Sequence, residues 1–367
     1  MAKHRVGIVG AGQLGRMLAL AGYPLGIECH VLDTAADAPG AQVAPAVLGR
    51  LDDARALAEL AARVDVVTLE IENVAVEPLE VLRERIEVFP PPRAVAAAQD
   101  RLAEKTLFRS LGIPTAEFVA VDSERDLSTA ADRLGWPLVL KTRRMGYDGR
   151  GQRVVSSNPE LAAAWRELGA VPSIAEAWVR FEREVSLIGV QGADAQRAFY
   201  PLAENVHREG ILATTIAPYV DAALQSLAER WLAAIMTTLD YRGVLAVEFF
   251  LTDRGLLANE MAPRVHNSGH WTIEGAETSQ FENHLRAVIG WPLGSTRARG
   301  HAAMLNLLGQ LPSVESVLAI PGAHLHDYGK SPRPGRKVGH CTLVDDDRTR
   351  LLERFEALRA LVPAIGD

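Results

Sequence analysis

Within nine residues, the segment Pro263-Arg264-Val265-His266-Asn267-Ser268-Gly269-His270-Trp271 carries an arginine, two histidines and an asparagine. Two carboxylates, Glu248 and Glu260, precede it on what reads as one β-hairpin. Such groups converge where an anion and a metal ion are handled together, since guanidinium and imidazole donors hold anions and carboxylates hold cations. Val244–Leu251 is β-branched and aromatic, and Gly255–Met261 is the return strand, stopped by Pro263. Asp253-Arg254-Gly255 between them reads as a three-residue turn, with the glycine supplying φ > 0. Centred on Arg254, that turn sets Glu248 directly opposite Glu260. Facing side chains lie roughly 5 Å apart at Cβ, where like charges repel. A divalent cation removes the conflict, and Mg²⁺ takes one or two carboxylates plus phosphate oxygens. The competing reading is a solvated hairpin with two surface acids.

Two glycine-rich segments add phosphate chemistry. Gly10-Ala11-Gly12-Gln13-Leu14-Gly15 follows the strand Arg5–Val9 and opens a helix at Arg16, and the next strand, Glu28–Leu32, ends at Asp33. That context fits a dinucleotide fingerprint and hence an NAD-dependent oxidoreductase. It fits a single phosphate at a helix N-terminus equally well, or a tight turn with no ligand. Further on, the apolar strand Gly135–Lys141 leads into Gly146-Tyr147-Asp148-Gly149-Arg150-Gly151-Gln152 and returns as Arg153–Ser156. A glycine loop with a lysine and an arginine beside it is a phosphate cover, or else a flexible hairpin tip. It is not a Walker loop, which needs Gly-Lys-Ser/Thr opening a helix. The strands Ser173–Val179, Glu184–Val190 and Pro201–His207 carry Glu176, suited to a purine edge, and Glu184, suited to ribose hydroxyls. Taken singly, each acid reads as well as a surface residue at a strand end.

The elements around these groups alternate strand and helix in the first third. Val64–Leu69 runs into Glu70, Glu72 and Asn73, and Glu87–Phe89 is closed by Pro90-Pro91-Pro92. The pattern predicts a doubly wound α/β domain with its site at the carboxyl ends of the strands. The three prolines read as a linker into a helical stretch, Arg93–Leu111, bearing Arg101 and Lys105. The tail holds a strand Ala302–Leu308, a basic Lys330–Lys337 segment, a strand Lys337–Val344 and a helix Thr349–Leu361. A chain of 367 residues accommodates two or three domains. Its net charge of −7, with no basic run, gives no nucleic-acid footprint. Cys29 and Cys341 show no metal spacing and fit a reduced, cytoplasmic compartment. There is no signal-peptide pattern and no apolar run of membrane-spanning length.

Four motifs carry a family resemblance: Gly10 to Met17, Gly146 to Gln152, Asn259 to Trp271, and Arg333-Pro334-Gly335-Arg336-Lys337-Val338-Gly339-His340. With them the chain resembles the ATP-grasp superfamily and, within it, the ATP-dependent carboxylases of 5-aminoimidazole ribonucleotide, from Val6 to about Leu343. The resemblance implies a mixed α/β and α+β architecture. A Rossmann-like parallel-sheet domain would span residues 1–97, and a two-part ATP-grasp domain 98–298, with a mobile nucleotide-covering lobe at 115–180. A small C-terminal domain would span 299–367. It implies that Arg101, Lys141 and the loop Gly146, Tyr147, Asp148, Gly149, Arg150, Gly151 and Gln152 meet ATP phosphates. Glu176, Ala177, Trp178 and Val179 would hold adenine and Glu184 the ribose, with His207, Asn259 and Glu260 close by. Glu248 and Glu260 would hold Mg²⁺, or Mn²⁺ in its place. The ribonucleotide would lie on Gln13, Leu14, Glu70, Tyr147, Asp148 and Arg150, its phosphate on Lys330, Arg336 and Lys337. Arg264, His266 and Asn267 would hold bicarbonate, and Asp148, with His266 as runner-up, would handle the amine proton. The implied reaction carboxylates the ribonucleotide through carboxyphosphate, in purine synthesis, in a homodimer. Another ATP-grasp ligase, such as the formate-dependent glycinamide ribonucleotide transformylase, and a non-catalytic nucleotide-binding regulator are the alternatives.

Overall fold

The computed structural model describes residues 4–146 and 149–362. Five parallel strands form the first sheet: β1 (Arg5–Val9), β2 (Glu28–Asp33), β3 (Ala46–Leu48), β4 (Val66–Leu69) and β5 (Val88–Phe89), in the order β3-β2-β1-β4-β5. Val6, Ile8, Val9, Val66, Val67 and Leu69 are all buried, because helices cover both faces of such a sheet. The strand order reverses between β1 and β4. At that switch point the turn Gly10–Gly15, ahead of the helix Gln13–Gly22, meets the segment Glu70–Asn73.

Pro90–Pro92 is not a linker. All three residues are buried, and Pro92 opens the helix Pro92–Gln99. Proline suits that first position because its φ is already helical and its missing N–H would have no partner there. The predicted helix over 93–111 breaks at Asp100, whose backbone is extended. Its carboxylate accepts from the N–H groups of Leu102 and Ala103 and starts the helix Arg101–Ser110 afresh. The division expected at residue 97 therefore falls inside a helix.

A small antiparallel sheet follows, in the order β6-β9-β7-β8: β6 (Phe118–Val121), β7 (Leu138–Thr142), β8 (Gln152–Val155) and β9 (Ser173–Ala177). The helices Asp126–Leu134 and Asn158–Glu167 close its core around Leu138, Leu140 and Ala175. The remaining strands make one larger sheet. They are β10 (Arg183–Gln191), β11 (Arg197–Phe199), β12 (Ala203–Arg208), β13 (Ile211–Ala217), β14 (Gly243–Thr252), β15 (Gly255–Ala262), β16 (His301–Leu308), β17 (Ala323–Asp327) and β18 (Lys337–Asp345). β16 pairs with β13, so strands on both sides of residue 298 share that sheet. Asp345 is buried against Arg350, whereas Asp347 caps the helix Arg348–Arg359.

The β14–β15 hairpin corrects one step of the sequence reading and keeps its result. Thr252 pairs with Gly255, so the turn has two residues, Asp253 and Arg254, rather than three. That register alone would set Asn259 opposite Glu248. A β-bulge between Glu248 and Phe249 on one strand admits one extra residue on the other, and Glu248 faces Glu260 after all.

Candidate functional site

A cavity of about 730 Å³ runs from the glycine turn of the first sheet to the acidic hairpin of the large one. Gln13, Leu14 and Glu70 line one end, and Glu248, Asn259, Glu260, Arg264, His266 and Asn267 the other. Between them lie Arg101, Lys141, Gly146, Gly149, Arg150, Gln152, Glu184, His207 and Lys337. Gly151, Glu176, Ala177, Trp178, Val179, Lys330 and Arg336 do not line it, and Tyr147 and Asp148 lie outside the described residues.

The two acids across the hairpin are not equivalent. Burial raises the pKa of Glu248, and the charge of Glu260 adds to this against the attraction of His207. Burial acts on Glu260 in the same sense, but Arg101 outweighs it by charge and by a 2.9 Å hydrogen bond, so that carboxyl titrates below its usual range. Asn259 and Glu260 are sequence neighbours, yet both line the cavity because the bulge breaks the strand's alternation. Asn259 Oδ1 is buried with no hydrogen-bond partner among the described residues. Two carboxylates and an unpartnered amide oxygen suit a hard cation completed by phosphate oxygens. Among the described residues no group of three or more His, Cys, Asp or Glu is arranged to hold a metal unaided. His207 stands between Glu184, at 2.8 Å, and Glu248, at 4.0 Å; burial opposes its charged form, but these acids raise its pKa to about 9.

His266 is held in one tautomer by a relay that sequence reading did not find. Thr215 donates to Asn205 Oδ1 (2.9 Å), Asn205 Nδ2 to Ser186 (2.9 Å) and Ser186 to Ser268 Oγ (2.8 Å). Ser268 Oγ then has its proton left for His266 Nδ1, 2.8 Å away, and the Ser268 N–H points at the same nitrogen. With Nδ1 accepting, the ring proton sits on Nε2, 3.5 Å from Glu248 Oε1. Burial, aided by the charge of Arg264, lowers the His266 pKa to about 3, so the ring is a neutral N–H donor at working pH. Asn267 is paired amide to amide with Asn306 of β16, at 3.1 and 3.0 Å. Arg264 donates through Nη2 (2.9 Å) and Nε to the two carboxylate oxygens of Glu72.

On the small-sheet side, Glu176 Oε2 lies 2.9 Å from Lys141 Nζ and 3.5 Å from Lys105 Nζ, all three groups buried. Burial opposes the charge on Glu176, but the two ammonium groups hold its pKa at about 2. Its other oxygen has no partner among the described residues. Glu104, also absent from the sequence reading, accepts from the Met261 N–H at 2.6 Å, and burial and the charge of Glu260 raise its pKa.

At the far end, the carboxylate of Glu70 occupies the glycine turn itself. It accepts from Gly12 N and, at 2.7 Å, from Gly15 N. A Cβ on Gly12 would stand 2.7 Å from Glu70 Oε1, so the close approach requires glycine there. The amides that would cradle a dinucleotide's pyrophosphate are thus already committed, and the NAD reading falls. The three cations expected around one phosphate lie against different groups. Lys330 donates to Gln13, Arg336 to the Ser331 carbonyl at 3.1 Å, and Lys337 lines the cavity near Glu248 and His266.

Comparison with known proteins matches this arrangement along the whole chain. Residues 2–99 match the ribonucleotide synthetase preATP-grasp domain, 106–281 the ATP-grasp domain, and 302–354 the phosphoribosylaminoimidazole carboxylase C-terminal domain. The N5-carboxyaminoimidazole ribonucleotide synthase of Pseudomonas aeruginosa is 50% identical over 360 residues, covering 98% of this chain and 100% of that protein. The crystal structure of N5-carboxyaminoimidazole ribonucleotide synthetase from Thermus thermophilus superposes with a TM-score of 0.94 at 51% identity, covering 99% of both chains. That of the Aspergillus clavatus N5-carboxyaminoimidazole synthase, in complex with ADP and 5-aminoimidazole ribonucleotide, gives 0.92 at 33% identity, covering 98% of each.

Proposed function

We propose how this site works from one premise: the chain belongs to the N5-carboxyaminoimidazole ribonucleotide synthases of the ATP-grasp family. It is an ATP-dependent enzyme of purine biosynthesis, with an N-terminal parallel-sheet preATP-grasp domain, a central ATP-grasp domain and the family's C-terminal domain. One observation carries the residue assignments: a single cavity joins the glycine turn and Glu70 to the acidic hairpin and Arg264. The ribonucleotide lies at the first end and bicarbonate and the ATP γ-phosphate at the second. Support comes from the Aspergillus clavatus relative, crystallised with ADP and 5-aminoimidazole ribonucleotide.

Bicarbonate is a poor electrophile because its carbon sits within an anion. One of its oxygens attacks the γ-phosphorus of ATP, the bond to the β-phosphate oxygen breaks, and ADP departs, leaving carboxyphosphate. The ribonucleotide's exocyclic amine then attacks the carboxyl carbon, directly or as CO₂ freed in the closed site. The carbon–oxygen bond to phosphate breaks and the amine loses a proton. Arg264 and Lys141 face the charge that develops on the transferring group, and positioning of this kind is the larger part of phosphoryl-transfer catalysis. His266, neutral and protonated on Nε2, donates to a bicarbonate oxygen instead of accepting the amine proton. Asp148 is the group proposed to take that proton. Glu248, Glu260 and Asn259 Oδ1 would hold Mg²⁺ or Mn²⁺, which when bound supplies positive charge to the phosphate oxygens. Glu176 Oε1, buried and unpartnered among the described residues, suits the amino group of adenine, and Glu184 the ribose. The lobe at 115–180 closes over the nucleotide. A homodimer and a cytoplasmic location complete the reading, the former open to sedimentation.

The test is ADP release from MgATP and ¹³C-bicarbonate, with and without 5-aminoimidazole ribonucleotide. Strong stimulation by the ribonucleotide, with label in an N-linked carbamate and loss of turnover on chelating the metal, is expected. Turnover indifferent to the ribonucleotide would overturn the placement of that substrate.

A further inference from the structure

We infer that Glu72 is a positioning residue for bicarbonate: its carboxylate aims the Arg264 guanidinium from the N-terminal domain. The inference rests on the reading above that Arg264 holds bicarbonate, and it adds a residue that reading does not assign.

Arg264 follows β15 and Glu72 follows β4, 192 positions apart in sequence. They meet in a two-point fork: Nη2 donates to Oε1 at 2.9 Å, and Nε donates to Oε2. A third hydrogen bond runs from Nη1 to the carbonyl of Val265, at 3.1 Å. A guanidinium carries five N–H bonds, so one hydrogen on Nη1 and one on Nη2 are left for an anion. A carboxylate engaged at two points fixes the plane of the guanidinium, which a point charge could not do. Glu72 also offsets much of the arginine's charge. What remains for bicarbonate is chiefly two N–H groups in a set direction.

Glu72 is itself anchored. Gln99 Nε2 donates to its carbonyl and to that of Val74. Two residues earlier, Glu70 is held by the Gly12 and Gly15 amides, and Gln13 in that same turn accepts from Lys330. Hydrogen bonds and two short stretches of backbone thus run from Lys330, through the glycine turn and the 70–74 segment, to Arg264. The end assigned to the ribonucleotide and the end assigned to bicarbonate share one rigid support. Without Glu72, the guanidinium has Glu70 and Glu260 near enough to draw it elsewhere.

The experiment compares Glu72→Ala, Glu72→Gln and Arg264→Lys in the full-length chain. Initial rates are taken against bicarbonate and, separately, against MgATP, and each variant's melting temperature is recorded. Losing a charge-assisted pair should raise the KM for bicarbonate roughly tenfold or more in Glu72→Ala, with the KM for ATP within about twofold. Glu72→Gln keeps one acceptor oxygen and should recover part of that loss, which a merely structural staple would not predict. If Arg264→Lys leaves the bicarbonate KM unchanged, the assignment of Arg264 fails and the inference goes with it. If Arg264→Lys raises that KM while Glu72→Ala does not, the assignment stands and the inference is wrong. Equal losses for both substrates in Glu72→Ala, with a lowered melting temperature and no recovery in Glu72→Gln, also overturn it.

Discussion

Glu176→Gln tests the buried charges on the small-sheet side of the cavity. The wild-type carboxylate lies between the ammonium groups of Lys141 and Lys105, and its pKa falls from 4.5 to about 2. A shift of roughly 2.5 units is worth about 3 to 4 kcal/mol at ~1.4 kcal/mol per unit. The cost of removing one partner from a buried ion pair, ~3–5 kcal/mol, points to the same size. The sign follows from linkage. A carboxyl whose folded pKa lies below its unfolded value stabilises fully above the unfolded value and loses that contribution as pH falls toward the folded one. Here the window runs from 4.5 down to about 2. At about pH 3.5 the wild type should already have lost on the order of 1 kcal/mol of it, whereas the glutamine variant has none to lose. Urea unfolding of both proteins, followed by tryptophan fluorescence at neutral pH and at about pH 3.5, reads the difference directly. A gap under ~1 kcal/mol at neutral pH, or one that does not narrow in acid, would refute the reasoning.

Three further outcomes are expected. Ser268→Ala removes the hydroxyl that donates to His266 Nδ1, so kcat should fall about tenfold, about 1.4 kcal/mol, while ADP affinity measured by calorimetry stays level. Glu70→Ala vacates the Gly12 and Gly15 amides, and inorganic phosphate should then shift those two amide resonances in a titration that leaves the wild type unmoved. Gly149→Pro should cut carboxylation more than nucleotide binding, since Gly149 has φ +74° and a Cβ there would stand 2.8 Å from the Glu209 carbonyl; equal losses would count against coupling of the loop to the ribonucleotide.

Local sequence was informative where the chemistry is local. The Glu248–Glu260 pairing came through because an apolar strand with one acid on each arm leaves few registers, although the turn inferred for it was a residue too long. The parallel sheet was legible from short, continuously apolar runs. What sequence did not disclose depends on strands far apart in the chain. The relay from Thr215 through Asn205 and Ser186 to Ser268 needs the registers of β13, β12 and β10 and the loop after β15 at once, and each member alone is an ordinary polar residue. Glu72 was visible only as an acid after β4, since nothing local points to Arg264. Pro90–Pro92 misled for the opposite reason: proline punctuates helices as readily as linkers, and burial decides which.

The bulge in the acidic hairpin has a consequence for how this site can vary. A regular strand presents every second side chain to a given face, so two facing strands offer one donor each per level. The extra residue lets Asn259 and Glu260 both answer Glu248, which concentrates oxygen donors without recruiting a third strand. It also separates the chemistry from the hairpin's tip. Residues inserted between Thr252 and Gly255 lengthen a solvent loop and leave the carboxylates facing each other. Deleting Asn259 would regularise the ladder and still oppose two acids, but with one oxygen donor fewer. How many oxygen donors this face can present is therefore set by a backbone irregularity as well as by side-chain identity: substitution at Glu248, Asn259 or Glu260 alters the donors one at a time, whereas insertion or deletion alters the number of positions that face them.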